Sequence, residues 1–260
     1  MRKPKILCFV PMAPKRPKIF ARTIQSIMNV YWNGPIEYMF AREDSPVEGP
    51  YDNICKKYSM ARSIVLNTGY DALWTVESDI IVPSITLERL TRVEADVAYG
   101  LYASRHGSNR WLAFTHISET VGVSLSDDPI NAKEAWGKVV QTAGVGLGCT
   151  LIWRRVLEKI EFRHPSSEVA NDWFFSLDCL EYGFSQAHDL GVVCGHIVPP
   201  PSPKILWPDP DHPRLVQVEF FDEAPPYRVP PGETVVLVSD SFETRAVYRE
   251  REEQEVEHVR

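Results

Sequence analysis

The chain has 260 residues, 44% hydrophobic and 24% charged, a composition that suits one sizeable core and excludes wholesale disorder, a collagen-like repeat or a coiled coil. Lys and Arg number 28 against 35 Asp and Glu, for a net charge of -7, so a broad surface for a nucleic-acid polymer is not expected. A small anionic substrate is still compatible with that balance, because one local cation can hold a phosphate whatever the total charge.

Five cysteines are scattered without a CxxC pair, which implies reduced, mostly buried thiols and neither a disulfide framework nor a zinc ribbon. The N-terminus begins like a signal peptide, but its apolar run is short, is interrupted by Pro11 and Pro14, and leads into KRPK. A first strand is expected there instead. No apolar stretch approaches the ~20 residues of a membrane-spanning helix, so the expectation is a soluble, cytoplasmic protein.

In chain order, residues 5–10 form a continuous apolar run of the kind found in a strand buried on both faces. Ile24, Ile27, Met28 and Tyr31 follow at helical spacing until Asn33, Gly34 and Pro35 end the element. Residues 36–41 read as a second strand, and Ile54, Tyr58, Ala61 and Val65 mark one face of a second helix. A third strand over 72–76 and a helix with Leu87, Leu90 and Val93 inward continue the alternation. That alternation predicts an α/β fold with an open, mostly parallel sheet and helices on both faces, whose ligands bind beyond the carboxyl ends of the strands.

Residues 96–103 read as another strand and 104–141 as an irregular, polar, substrate-facing loop containing Trp111 and Trp136. Then come a strand over 148–153, a short helix over 154–160, a helix over 171–182 closed by Gly183, and a last strand over 192–198. The main domain is therefore expected over 1–198. Residues 199–260 are expected to be an extension, because about half of the 21 prolines lie in 199–231. Small antiparallel strands are expected at 216–221, 234–238 and 246–248, with a turn at PPGE and a solvated tail REREEQEV.

The segment YDALWTVESDIIVP (70–83) delivers Glu77 and Asp79 to the end of a buried strand. Side chains alternate along a strand, so these two carboxylates are expected on one side, able to share a divalent cation and substrate phosphates. Asp172 stands at a helix start in NDWFF and His196 after the last core strand in VVCGH. Each of these also has a simpler reading, as a helix cap, a surface salt bridge or a surface histidine.

Taken in order, ILCFVP (6–11), IEYMFAREDS (36–45), YSMARSI (58–64), VESDI (76–80), GVGLGCTLIWRRV (144–156), NDWFF and VCGH resemble the GT-A fold glycosyltransferases, in particular those similar to family 2, over residues 5–198. The resemblance implies a nucleotide-sugar donor held by Pro11, Glu43, Arg62, Glu77 and Asp79. It further implies Mn²⁺ or Mg²⁺ on Asp79 and His196, and Asp172 as general base of an inverting transfer. Here Asn171 replaces the commoner Glu before the catalytic Asp, Glu77 replaces an Asp, and Ser63 replaces the usual Asn.

Such a cation would neutralise the leaving diphosphate, and a histidine ligand tilts the choice toward Mn²⁺. Gly144, Gly146 and Gly148 would let backbone approach the sugar. Tyr102, Arg105, Trp111, Gly146 and Gly148 are the candidates for the acceptor side; Trp136 shares the irregular segment with Trp111, whereas Trp153 and Trp173 are expected in the core. The acceptor could be a glycan, a lipid or a protein.

GVGLG is not a dinucleotide loop, since that fingerprint belongs after the first strand, where PMAPKRP stands. The chain has no GxxxxGK[ST], HExxH or GxSxG, and DPDHP (209–213) reads as solvated loop. Two alternatives are a sugar nucleotidyltransferase, disfavoured because no glycines accompany Lys15, Arg16 and Lys18, and a non-catalytic carbohydrate- or protein-binding module. The extension also permits a homo-oligomer.

Overall fold

The computed structural model describes residues 2–12, 17–42, 44–45, 47–165, 170–198, 204–220, 235–240 and 243–247, the last two segments and residues 17–19 by their backbone alone. Glu43, residues 199–203 and 221–231 of the proline-rich arm, the turn PPGE and the tail REREEQEV lie outside the described residues.

From the N-terminus the chain runs through β1 (Ile6–Pro11), α1 (Pro17–Met28), β2 (Ile36–Ala41), α2 (Pro50–Thr68), β3 (Ala72–Val76), β4 (Ile80–Ile81) and α3 (Thr86–Leu90). Next are β5 (Val97–Leu101), the hairpin β6 (Phe114–Ile117) and β7 (Gly122–Ser124), a single 3₁₀ turn, α4 (Pro129–Ala135), β8 (Val139–Gln141), β9 (Cys149–Trp153) and α5 (Arg154–Leu157). The described chain ends with α6 (Asn171–Glu181), β10 (Gln186–Val193), β11 (Gly195–Val198), β12 (Lys204–Pro208), β13 (Leu215–Phe220), β14 (Val235–Asp240) and β15 (Glu243–Val247).

The expected mixed α/β architecture is what forms: a seven-stranded open sheet in the order β2-β1-β3-β9-β5-β10-β8. Only β9 and β8 run against the other five strands. Alternate residues of the apolar strands feed opposite faces. Ile6, Cys8, Val10 and Trp74 pack with Ile27 of α1 and Leu87 and Leu90 of α3. Leu7, Phe9, Leu73 and Tyr99 pack on the other face with Tyr58, Ala61 and Val65 of α2 and with Phe175 of α6. All five cysteines are buried and unpaired, and no described helix is long and apolar enough to cross a membrane.

The second sheet is antiparallel, in the order β15-β14-β13-β12-β11-β4, and it continues from β11 into residues 204–220. The single strand expected over 192–198 is in fact two, split at Cys194 between the two sheets. The register of β10 against β5 shifts between Asp189 and Val193, so the chain leaves one sheet and enters the other. The loop expected over 104–141 is also more ordered than its polarity suggests. A capping box joins Ser124 and Asp127, Asp128 caps α4, and Trp111, Ala113, Leu125, Ala132 and Leu190 close a small core beneath them.

One consequence of this layout is the anchoring of residues 77–79. The Thr23 hydroxyl of α1 donates to the Ser78 carbonyl at 2.9 Å, and Thr23 is fully buried. Thr23→Val would leave that carbonyl without its partner and should cost about 1–3 kcal/mol, read as a lower midpoint in denaturant unfolding.

Candidate functional site

The chain leaving β3 passes through a turn in which the Ile80 amide donates to the Glu77 carbonyl at 3.0 Å. Glu77 and Asp79 therefore share a side through turn geometry, where strand alternation had been the expected cause. The Glu77 amide donates to the Gly148 carbonyl at 3.0 Å and the Ile197 amide to the Asp79 carbonyl at 2.7 Å. Residue Ile80 pairs directly with His196 across β4 and β11, which brings the histidine beside Asp79.

Beyond the ends of β1, β3 and β5 lies a cleft of about 550 Å³. Four of the expected residues, Glu77, Asp79, Asp172 and His196, line it together, with Pro11, Tyr102 and Arg105 also in its wall. Burial, then the charge of Asp172, pushes the Glu77 carboxyl up to about 7, while Arg105 and Tyr58 pull it the other way. Burial also raises the Asp172 carboxyl, opposed by the backbone N–H groups of Trp173 and of Asp172 itself; the Trp173 amide donates to its Oδ1 at 2.8 Å.

His196 is held neutral: burial, then Arg105, brings its imidazole down to about 3. Its Nδ1 lies 2.7 Å from the Ala103 carbonyl oxygen, which accepts the Nδ1 proton and leaves Nε2 as the electron-pair donor. Arg105 is ion-paired with Asp79. A buried carboxylate in the turn before β4 and a neutral imidazole on β11 are a donor pair of the kind that suits a divalent cation completed by phosphate oxygens and water. Among the described residues no group of three or more His, Cys, Asp or Glu is arranged so that it could hold a metal ion by itself.

Several expected residues lie elsewhere. Arg62 donates through Nε to the Leu157 carbonyl at 2.7 Å and pairs with Glu161 at 3.4 Å, joining α2 to the end of α5 and the segment after it. Trp111 is fully buried, tilted against Trp136 with ring centroids 5.6 Å apart, because the ordered segment folds over it. Gly146 and Gly148 sit behind Tyr102. A Cβ on Gly146 would lie 2.4 Å from the Tyr102 hydroxyl, and one on Gly148 would lie 2.6 Å from its Cζ. Their bareness makes room for that ring, whose hydroxyl accepts from the Gly148 amide at 2.9 Å. Glu43 lies outside the described residues.

The structure adds Asp44, Tyr51, Lys57 and Asn171 to the wall. Lys57 is buried, donates to the Met12 carbonyl at 2.8 Å and pairs with Asp44 at 2.5 Å. A lysine three residues after Ile54 and one before Tyr58, at the border of the apolar stripe of α2, was its sequence signal.

No family model matches the chain, and no curated protein matches it. Among solved structures, A197 from STIV superposes with a TM-score of 0.54 at 15% identity, over 88% of this chain and 100% of that one, which shows a shared fold. Two structures of S. aureus TarS, one in complex with UDP-GlcNAc, match with TM-scores of 0.44 and 0.43 at 10% identity, over 71% of this chain and 57% and 55% of theirs.

The raised Glu77 carboxyl gives stability a definite pH dependence. Between its ordinary value of 4.5 and about 7 the native state holds a proton that the unfolded state has lost, so stability falls as pH rises through that window. In chelator-treated protein, Glu77→Gln should flatten this part of the profile of melting temperature against pH. Gly148→Ala should destabilise by about 1–3 kcal/mol through overpacking against Tyr102, seen as a lower melting temperature.

Proposed function

We propose that the chain is a metal-dependent glycosyltransferase that moves a sugar from a nucleotide diphosphate to an acceptor hydroxyl, with inversion and with Asp172 as general base. The observation that carries this reading is the convergence of Glu77, Asp79, Asp172 and His196 on one cleft at the carboxyl ends of parallel strands. Mixed carboxylates and a neutral imidazole at that place suit phosphate-linked chemistry better than a plain binding surface.

Asp79 and His196 would hold Mn²⁺ or Mg²⁺, whose positive charge stabilises a departing diphosphate when the ion is bound. The charge of the cleft supports a cation partner, since Asp44, Glu77, Asp79 and Asp172 face only Lys57 and Arg105 among its described walls. A donor diphosphate entering without added positive charge would meet net repulsion. Pro11, Tyr51 and the Lys57–Asp44 pair line the same cleft and would contribute to a place for the nucleoside.

Asp172 sits in the first turn of α6, where the N-terminal backbone groups favour an ionised carboxylate against the opposing effect of burial. In that state it accepts the proton of the acceptor hydroxyl as the oxygen attacks the sugar. Tyr102 contributes to the wall of the cleft, and Arg105, already beside Asp79, would add a cation near the phosphate position.

Calorimetric titration with UDP-, GDP- and CMP-sugars, with and without Mn²⁺, tests the donor half. Binding of one nucleotide class that requires metal and is lost in Asp79→Ala is expected; absence of binding by every donor would instead favour a non-catalytic module. For the base, Asp172→Asn should lower transfer by about 10²- to 10⁴-fold with donor affinity retained, measured by release of nucleoside diphosphate. Full turnover by that variant would remove Asp172 from the role.

A further inference from the structure

Two cations have a claim on Asp79. Its carboxylate is the expected metal ligand, and it is also ion-paired with the Arg105 guanidinium. The two members of that pair differ in how firmly they are held. Asp79 is fixed through its backbone carbonyl, which accepts from the Ile197 amide at 2.7 Å, and its side chain is 11% exposed against 24% for Arg105. Arg105 stands at the start of a loop tip, one residue beyond a paired stem in which Ala103 bridges Trp111 and the Ser104 amide donates to the Arg110 carbonyl at 2.8 Å. Its long side chain can change rotamer without moving that stem. The Ala103 carbonyl of the same stem orients His196, and the charge of Arg105 is felt at both Glu77 and His196, so the guanidinium lies among the groups that would surround a bound cation.

We propose that Arg105 is a displaceable counter-cation: it neutralises Asp79 within the chain, yields that carboxylate to the divalent ion, and turns its guanidinium onto the donor's diphosphate. This deepens the metal-dependent reading above and rests on it. A dication between Asp79 and His196 would stand beside the guanidinium, and like charges repel strongly where water is partly excluded. Asp79 and His196 are tied to the fold, so Arg105 is the group that moves. The diphosphate gives the displaced side chain a destination, since a planar fork of N–H donors matches phosphate oxygens in pairs. One side chain then acts with opposite sign on two ligands. It weakens metal binding by competing for Asp79 and strengthens diphosphate binding by direct contact, so the two ligands are coupled through it. An arginine present only to bind phosphate would leave the affinity for metal alone unchanged.

Calorimetry on chelator-treated protein tests this with Mn²⁺ alone, and then with whichever of UDP, GDP and CDP binds best in saturating Mn²⁺, in the wild type, Arg105→Gln, Arg105→Lys and Asp79→Ala. Opposite shifts are expected in Arg105→Gln: Mn²⁺ alone binds about tenfold tighter and the nucleoside diphosphate about tenfold weaker. Arg105→Lys keeps the charge and loses the fork, so its Mn²⁺ affinity should stay near wild type while its nucleoside diphosphate affinity falls. The Mn²⁺ gain of Arg105→Gln should persist from ~0.05 M to ~0.5 M salt, because displacement in contact is screened less than a through-space effect. If Arg105→Gln is unstable without metal, a larger rise in melting temperature on adding Mn²⁺ than in the wild type reads the same competition. Unchanged or weaker Mn²⁺ binding by Arg105→Gln, a gain that disappears in high salt, or undiminished nucleoside diphosphate affinity overturns the inference; Mn²⁺ binding that is lost in Asp79→Ala then leaves the metal reading standing. No Mn²⁺ binding by the wild type, with or without a nucleoside diphosphate, overturns the metal reading, and this inference falls with it.

Discussion

The arrangement depends on how the three residues 77–79 are tied down. Their backbone is held from separate parts of the molecule: the Gly148 carbonyl takes the Glu77 amide, the Thr23 hydroxyl takes the Ser78 carbonyl, and the Ile197 amide takes the Asp79 carbonyl. A turn leaving a buried strand would otherwise carry unsatisfied polar groups. Here those groups are what fasten helix α1, the glycine stretch and the second sheet to one point. The same bonds set where the two carboxylates stand, so the geometry of the cleft is inherited from the packing of the fold.

Electrostatics then decides what such a point can do. Burial raises the free energy of the charged carboxylates, with the charge of Asp172 adding to the effect at Glu77, which is why Glu77 and Asp172 both resist ionisation. Lys57 relieves Asp44 and Arg105 relieves Asp79, leaving the other two carboxylates without a partner ion among these pairs. The neutral His196, directed by the Ala103 carbonyl, completes a set of groups that gain from positive charge brought in with a ligand. A cationic group would relieve them, whereas an apolar ligand would not.

Much of this was legible in the sequence, for identifiable reasons. Strands buried on both faces read as continuous apolar runs, so β1 and β3 could be placed from composition alone, and the acids that interrupt the end of β3 stood out against it. The helix α2 was visible through Ile54, Tyr58, Ala61 and Val65, which share one stripe. What was not legible depends on contacts distant in the chain. A two-residue strand such as β4 has no periodicity, so its pairing with His196 could not be inferred. Strand β12 hides among prolines because Pro208 comes at its end, where a missing N–H is tolerated. The glycines before β9 were expected to serve a ligand, and their purpose became clear only when the Tyr102 ring was found against them. Trp111 misled in the same way: a tryptophan in polar sequence looks available until a local core closes over it.

The contact between Tyr102 and these glycines also constrains how this corner of the molecule can diverge. A larger residue at position 146 or 148 collides with the tyrosine ring, and loss of the tyrosine leaves a void and an unpartnered Gly148 amide. Between Tyr102 and Gly148 each change is harmful on its own background and tolerable only on the other's, whereas Gly146, at a φ of +100°, is held to glycine by its backbone as well. Descendants of this sequence that reshape this wall of the cleft are thus confined to an ordered path, in which the tyrosine is trimmed first and Gly148 acquires a side chain only afterwards.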